Sequence, residues 1–310
     1  MLQRNDLIYV AGHTGLVGSA LVENLRQRGY ARLLLRTHAE LDLCNQQATR
    51  EFLSRERPDV ILLAAARVGG IHANMTYPAE FAYENLAIQT NVIHEAHRAG
   101  ITRMCFIGSS CIYPRLAPQP IPEDALMTGI VEPTNAPYAA AKIAGIFLCD
   151  AYNRQYGTRY RSVMPTNSYG PRDSFDLDTS HVLPAVIRRI HEAKATGADV
   201  VTLWGTGKPL REFIFCSDLA DACIHLLEHS DDTALTNIGT GEEISIGDLA
   251  RLIATIVGYS GEIRFDSTKP DGTPRKALDT SRLRATGWRP KTTLEEGIRI
   301  TYDWYVRHHA

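Results

Sequence analysis

The chain has 310 residues, a formal net charge of −2, 44% hydrophobic and 22% charged residues. Those are the proportions of a globular protein large enough for a nucleotide domain with a smaller partner, and they offer no polybasic surface for nucleic acid. The apolar runs are too short to span a bilayer, and six scattered cysteines show neither Cys-x-x-Cys nor zinc spacing.

Met1 to Asp6 is short and polar, so no secretory leader is expected, and the cysteine usage fits a reducing cytoplasm. Leu7 to Ala11 reads as a first strand. It runs directly into Gly12-His13-Thr14-Gly15-Leu16-Val17-Gly18, and Val17, Leu21, Val22 and Leu25 then repeat at helical spacing up to Gly29. Strand, glycine turn and helix in that order are the context a dinucleotide fingerprint needs. Gly12 through Gly18 are therefore expected against a cofactor, supplying a tight turn, backbone approach to a pyrophosphate and close helix–strand packing.

Arg32 to Arg36 reads as the second strand. Where an acidic residue would hold a ribose 2′-hydroxyl, the chain has Arg36, with His38 nearby. A cation there suits a 2′-phosphate, so NADP(H) is expected; an ordinary strand-end arginine is the alternative. Asp42 and Leu43 are placed at the adenine. A helix over Gln46 to Arg55 leads to Asp59–Ala66, a nearly continuous apolar strand of the kind covered on both faces. Small Ala65 at its end leaves room for the cofactor. A helix from about Tyr77 to Gly100 carries His94 and His97 at i,i+3, but no carboxylate or cysteine cluster joins them. A plain helix surface is favoured over a metal site, and no metal is expected.

Met104 to Ile107 is the fourth strand, ending in Gly108-Ser109-Ser110-Cys111-Ile112-Tyr113-Pro114; Ile107 and Gly108 are expected to back the cofactor. Pro137-Tyr138-Ala139-Ala140-Ala141-Lys142 opens a helix. Tyr160 to Met164 is strand five and leads into Pro165-Thr166-Asn167-Ser168, again at the cofactor. Five alternations of strand and helix define an α/β fold, a doubly wound (Rossmann), mostly parallel sheet with its crevice beyond the C-terminal strand ends. Gly12, Ala65, Ser109 and Pro165 all fall on that edge.

Residues 1–181 are expected to form the NADP-binding Rossmann domain. Residues 182–310 form mainly a smaller C-terminal substrate domain, some of whose segments return to the sheet. There His181 leads a helix, Val200–Trp204 and Arg211–Phe215 read as strands, and Ser217–Leu227 and Ile246–Val257 as helices. Lys269 to Lys276 reads as an exposed, mostly basic loop.

Tyr138 and Lys142 are i,i+4 neighbours on one helix face. A free phenol ionises near about pH 10, and an ammonium one turn away is expected to lower that value. The same lysine can hold the cofactor's ribose. With Ser109 hydrogen-bonding a substrate carbonyl, the three would polarise a ketone for hydride transfer, Tyr138 supplying the proton. Read alone, Cys111 is a buried thiol and His181 a helix-start histidine.

The glycine fingerprint, the Ser109 strand end and Tyr138-x-x-x-Lys142 resemble an extended short-chain dehydrogenase/reductase. More narrowly, Gly108 to Pro114, Glu132-Pro-Thr-Asn135, Val163-Met-Pro-Thr-Asn167 and Lys269 to Lys276 resemble the GDP-L-fucose synthase family, over effectively the whole chain. The resemblance implies NADPH-dependent 3,5-epimerisation and 4-reduction of a GDP-linked 4-keto-6-deoxy sugar. It implies Cys111 and His181 as the acid/base pair, His181 also beside the cofactor, and Arg189, Trp204, Arg211 and Asp271 on the GDP-sugar. It further implies a homodimer through the helices near 77–100 and 138–156, packed as a four-helix bundle. Two positions depart from the family pattern: Thr14 stands where members often carry arginine, and His38 where another basic residue is expected. Arg36 is left as the main cation for a 2′-phosphate. Two alternatives remain: an enzyme acting on another GDP- or UDP-linked ketosugar, heptose derivatives included, and a dinucleotide-sensing protein without catalysis.

Overall fold

The computed structural model describes residues 1–269 and 271–309. Its first half alternates strand and helix: β1 (Ile8–Ala11), α1 (Leu16–Gln27), β2 (Leu33–Leu34), α2 (Gln46–Glu56), β3 (Val60–Leu63), α3 (Ile71–Thr76), α4 (Pro78–Arg98), β4 (Arg103–Ile107), α5 (Ala136–Tyr156) and β5 (Arg159–Pro165). The second half runs β6 (Asn167–Tyr169), α6 (Val182–Thr196), β7 (Val200–Trp204), β8 (Leu210–Phe215), α7 (Cys216–His229) and β9 (Thr236–Ile238). It closes with β10 (Glu243–Ser245), α8 (Ile246–Val257), β11 (Glu262–Asp266), β12 (Arg275–Lys276), α9 (Ser281–Ala285) and α10 (Leu294–His309).

The main sheet has the order β2-β1-β3-β4-β5-β9. Every pairing in it is parallel. Side-chain alternation sorts its residues into two cores. Ile8, Val10, Val60, Leu62, Cys105 and Ile107 face one way, onto Leu21 and Leu25 of α1, Leu219 of α7 and Ile298 of α10. Tyr9, Ala11, Ile61, Leu63, Met104 and Phe106 face the other, onto Phe52 of α2, Val92 of α4 and Ile146 of α5. With both faces covered, the central strands β1 and β3 are buried and apolar along their whole length.

Caps and polar ties fix the helices. Asn45 Oδ1 accepts the Ala48 N–H (3.1 Å) at the start of α2, and Gly157, at φ 69°, ends α5. Glu95 of α4 is 1% exposed and receives Arg50 Nε (3.1 Å) and Gln46 Nε2 (2.9 Å) from α2.

The smaller lobe is built on β8, which pairs with β6 and β12 in parallel and with β10 antiparallel, beside a separate β7–β11 pair. Glu212 of β8 joins the lobes. Its buried carboxylate accepts the N–H groups of Gly241 (2.7 Å) and Leu278 (2.9 Å), while its carbonyl accepts from Thr166 Oγ1 and Asn167 Nδ2, both 2.9 Å. Three details differ from the sequence reading. The second strand is two residues, not five; α3 precedes the long helix; and Arg275–Lys276 is a strand on β8, not exposed loop. Residue 270 lies outside the described residues.

Candidate active site

A cleft of about 920 Å³ opens beyond the C-terminal strand ends, lined by both lobes. Its first half is shaped for a dinucleotide. Gly12 has φ 82°, and a Cβ there would lie 2.7 Å from Ala65 N; a Cβ on Gly18 would lie 2.0 Å from Gly12 O. Only glycine lets the loop, α1 and β3 approach this closely. Gly15 precedes α1 without a side-chain cap, so the first N–H groups of α1 are free for phosphate oxygens. Thr14, Leu16, Val17, Ala65, Ile107 and Gly108 line this half with Pro165, Thr166, Asn167 and Ser168.

Four expected cofactor residues stand elsewhere. His13 points away from the cleft wall, with Nδ1 buried and unpartnered. Leu43 is a core residue, and Asp42 turns its carboxylate to the Cys44 N–H (2.9 Å). Because β2 stops at Leu34, the chain leaves the sheet early and lays Arg36 over the Phe52 ring, 5.6 Å from its centroid. There its Nη2 is 3.5 Å from Glu56 Oε1. Exposed His38, not Arg36, lines the cleft.

Ser109, Tyr138 and Lys142 meet in the middle of the cleft. Lys142 Nζ donates to Ile107 O (3.0 Å) and sits 5.9 Å from the Tyr138 ring centroid. Burial depresses this ammonium to about 8. The Tyr138 phenol goes the other way from the sequence expectation. Burial pushes it up, the Cys111 charge adds to that, and a hydrogen bond with Ser109 only partly opposes them. Tyr138 is thus held as a neutral phenol, the proton donor that a reduction needs.

Cys111 lies within a single turn of 3-10 helix, Ser110–Ile112. Ser109 Oγ accepts the Cys111 N–H (3.2 Å), and the loop is pinned to β9 by Tyr113 Oη donating to Asn237 Oδ1 (2.5 Å). Asn135 Nδ2 donates to the Cys111 sulfur at 3.2 Å and Lys276 Nζ at 3.4 Å. Burial alone would raise this thiol. The Lys276 charge and hydrogen bonds from Ser109, Lys276 and Asn135 outweigh it and hold the thiol below its ordinary value.

His181 immediately precedes α6. Its loop is docked by the Gly70 N–H donating to Thr179 O (2.7 Å), which brings the ring to the cleft. Burial, then the Lys276 charge, lowers its basicity. The ring still meets solvent across the open cleft, which softens the first effect. Cys111 and His181, 70 positions apart in the chain, therefore line one cleft and feel one cation.

The far half carries Arg189 on α6, Trp204 at the end of β7 and Arg211 on β8. Among the described residues neither arginine forms an ion pair with a carboxylate. Trp204 is 53% exposed, not core, with Lys269 Nζ 5.5 Å from its ring centroid. Asp271 lines the cleft, but its carboxylate clamps a turn, accepting Thr206 N–H (2.6 Å) and Thr206 Oγ1 (2.8 Å). Lys276 and Asn135 were not singled out from the sequence. Both lie in segments that carry the family resemblance, but only their contacts with sulfur mark them within those segments.

A glycine cradle for a dinucleotide, a Ser-Tyr-Lys group and a cationic far wall define an enzyme of the extended short-chain dehydrogenase/reductase class. A sequence profile of the NAD dependent epimerase/dehydratase family matches residues 8–247. The chain is similar to GDP-L-fucose synthase 1 of Arabidopsis thaliana, 55% identical over 99% of this chain and 95% of that protein. It is similar to the GDP-L-fucose synthase of Escherichia coli (strain K12), 51% identical over 97% of each. Among solved structures, the GDP-mannoheptose C4 reductase of Campylobacter jejuni with NADP bound superimposes with a TM-score of 0.89 at 38% identity, covering 99% of this chain and 100% of that one. The chain belongs to the NAD dependent epimerase/dehydratase family and, within it, to the GDP-L-fucose synthase family.

Proposed function

We propose that this enzyme converts GDP-4-keto-6-deoxy-D-mannose to GDP-L-fucose with NADPH, inverting C3 and C5 and reducing C4. The observation that supports this above all is the sharing of one cleft by a carbonyl-reducing group and a separate thiol–imidazole pair. The C4 ketone acidifies the protons on C3 and C5. Cys111 and His181 remove each proton and return one to the opposite face. Each time the C–H electron pair moves onto the C4 oxygen, where Ser109 and Tyr138 hold the enolate. NADPH, when bound, supplies hydride to C4. Tyr138 then gives its proton to the C4 oxygen, and Lys142 stabilises the phenolate left behind.

The deciding experiment is turnover of this ketosugar with NADPH. GDP-L-fucose is expected; a reduced sugar with C3 and C5 uninverted, or equal efficiency with NADH, overturns the corresponding part of the reading. The likeness to a heptose reductase supports a second reading, a reductase of GDP-linked ketoheptoses. Faster turnover of a GDP-4-ketoheptose would favour it.

We assign cofactor binding mainly to residues 1–181 and sugar-nucleotide binding mainly to 182–310, a division that Arg189, Trp204 and Arg211 support. Arginines without carboxylate partners suit a diphosphate, each charge-assisted bond being worth roughly 1.5–3 kcal/mol. Arg189→Ala and Arg211→Ala are each expected to raise KM for the GDP-sugar roughly 10- to 100-fold and leave NADPH affinity unchanged. An unchanged KM would refute the assignment.

The outward faces of α4 and α5 expose Tyr83, Leu86, Phe147 and Tyr156. We propose that a second copy covers them, making a homodimer through a four-helix bundle; a sedimentation mass of one chain would refute it. Six free thiols fit the proposed cytoplasmic location, which recovery of the protein from an extracytoplasmic fraction would contradict.

A further inference from the structure

The Cys111 sulfur is met by segments far apart in the chain. Asn135 comes from the turn before α5 and Lys276 from β12, at 3.2 and 3.4 Å. β12 exists only through its pairing with β8, where Lys276 sits opposite Arg211. The strand that carries an arginine of the far wall therefore also delivers a lysine to the thiol.

Two further observations set these contacts apart from chance approach. Lys276 pairs with no carboxylate among the described residues. In the same cleft Glu132 is engaged by Arg115 (3.3 Å) and Thr273 Oγ1 (3.4 Å), and Arg275, the residue before Lys276, is the one that pairs with Glu243 (2.6 Å). Asn135 Oδ1 is buried with no donor, so the sulfur is the partner that orients the amide. An ammonium and an amide N–H directed at one sulfur stabilise an anion there; neither gains comparably from a neutral thiol.

We propose that Lys276 and Asn135 are positioning residues that hold the Cys111 sulfur as a thiolate in the cleft, so that the C-terminal lobe, through Lys276, sets the ionisation of the epimerising base. The proposal rests on the reading of Cys111 as an epimerising base. The other titratable or charged groups around the sulfur are Tyr138, His181, Arg211 and Glu132. None of them makes a direct hydrogen bond to it, so removal of Lys276 leaves no second cation in contact. An opposite charge at this range shifts an ionisation by about one unit or more.

The test measures the pH midpoint of iodoacetamide alkylation at the Cys111 peptide by mass spectrometry, in the full chain. Lys276→Met is expected to raise the midpoint by about one pH unit or more, Asn135→Ala by less, and Lys276→Arg to keep it near wild type. At pH 7, Lys276→Met should slow solvent-deuterium entry at C3 and C5 of the ketosugar about tenfold or more, with NADPH affinity unchanged. An unmoved midpoint in both Lys276→Met and Asn135→Ala overturns the proposal. If the midpoints shift as expected while the wild type exchanges no deuterium, the thiolate cradle stands and the substrate reading fails.

Discussion

Cys111→Ser is expected to cut solvent-deuterium incorporation at C3 and C5 of GDP-4-keto-6-deoxymannose by about 10²- to 10⁴-fold, the range lost with a positioned acid–base group. A serine hydroxyl is far less acidic than a thiol, so the cation at Lys276 and the amide of Asn135 no longer have an anion to stabilise. NADPH affinity should barely change, because Cys111 stands outside the glycine cradle. The pH profile gives a second check. In the proposed mechanism the base is the thiolate; burial works to raise its ionisation, and the Lys276 charge and the hydrogen bonds at the sulfur together outweigh that and hold it below the ordinary thiol value. Wild-type exchange should therefore fall as pH drops through that lowered value and level off above it. Full exchange by the serine variant would remove Cys111 from the mechanism.

Tyr138→Phe is the complementary case. It should slow NADPH oxidation by the ketosugar about 10²- to 10⁴-fold, while deuterium exchange survives to a larger fraction of wild type. In the proposed mechanism the phenol is the proton donor; burial keeps it neutral, and phenylalanine fills the same buried volume without the proton. Lys142 supplies the pH signature. Its charge is present below about 8 in the ligand-free cleft and lost as pH rises through that value. kcat/KM for reduction, which reports the free enzyme, should accordingly decline on the alkaline side near pH 8. Undiminished NADPH oxidation by Tyr138→Phe would refute the assignment.

Much of this site was legible beforehand because its signals are local. Gly12, Gly15 and Gly18 mark a loop that can be built only without side chains. Tyr138 and Lys142 share a helix face because the helical period puts them there. Ser109 follows an apolar strand, and strands of a doubly wound sheet end at the crevice. The misreadings concern groups whose surroundings are not local. Arg36 was expected at a 2′-phosphate, but a strand that stops at Leu34 turns it onto Phe52 and Glu56. Asp271 does line the cleft, but that its oxygens also hold Thr206 could not be read from its place in a loop. Lys142 was expected to acidify Tyr138, but desolvation, which no sequence spacing reports, decides that phenol.

The sequence by itself determined the layered α/β architecture, the glycine loop at its crevice and the shared helix face of Tyr138 and Lys142, since hydrophobic period, glycine sterics and i,i+4 spacing act over a few residues. Only the tertiary structure decided what surrounds Cys111. Lys276 reaches the sulfur because β12 pairs with β8, Asn135 reaches it from the turn before α5, and His181 lines the same cleft because the loop before α6 docks on Gly70. Such contacts form when the sheet and its flanking lobe bury their apolar faces together, and a two-residue strand such as Arg275–Lys276 carries no pattern of its own to announce where it will pair.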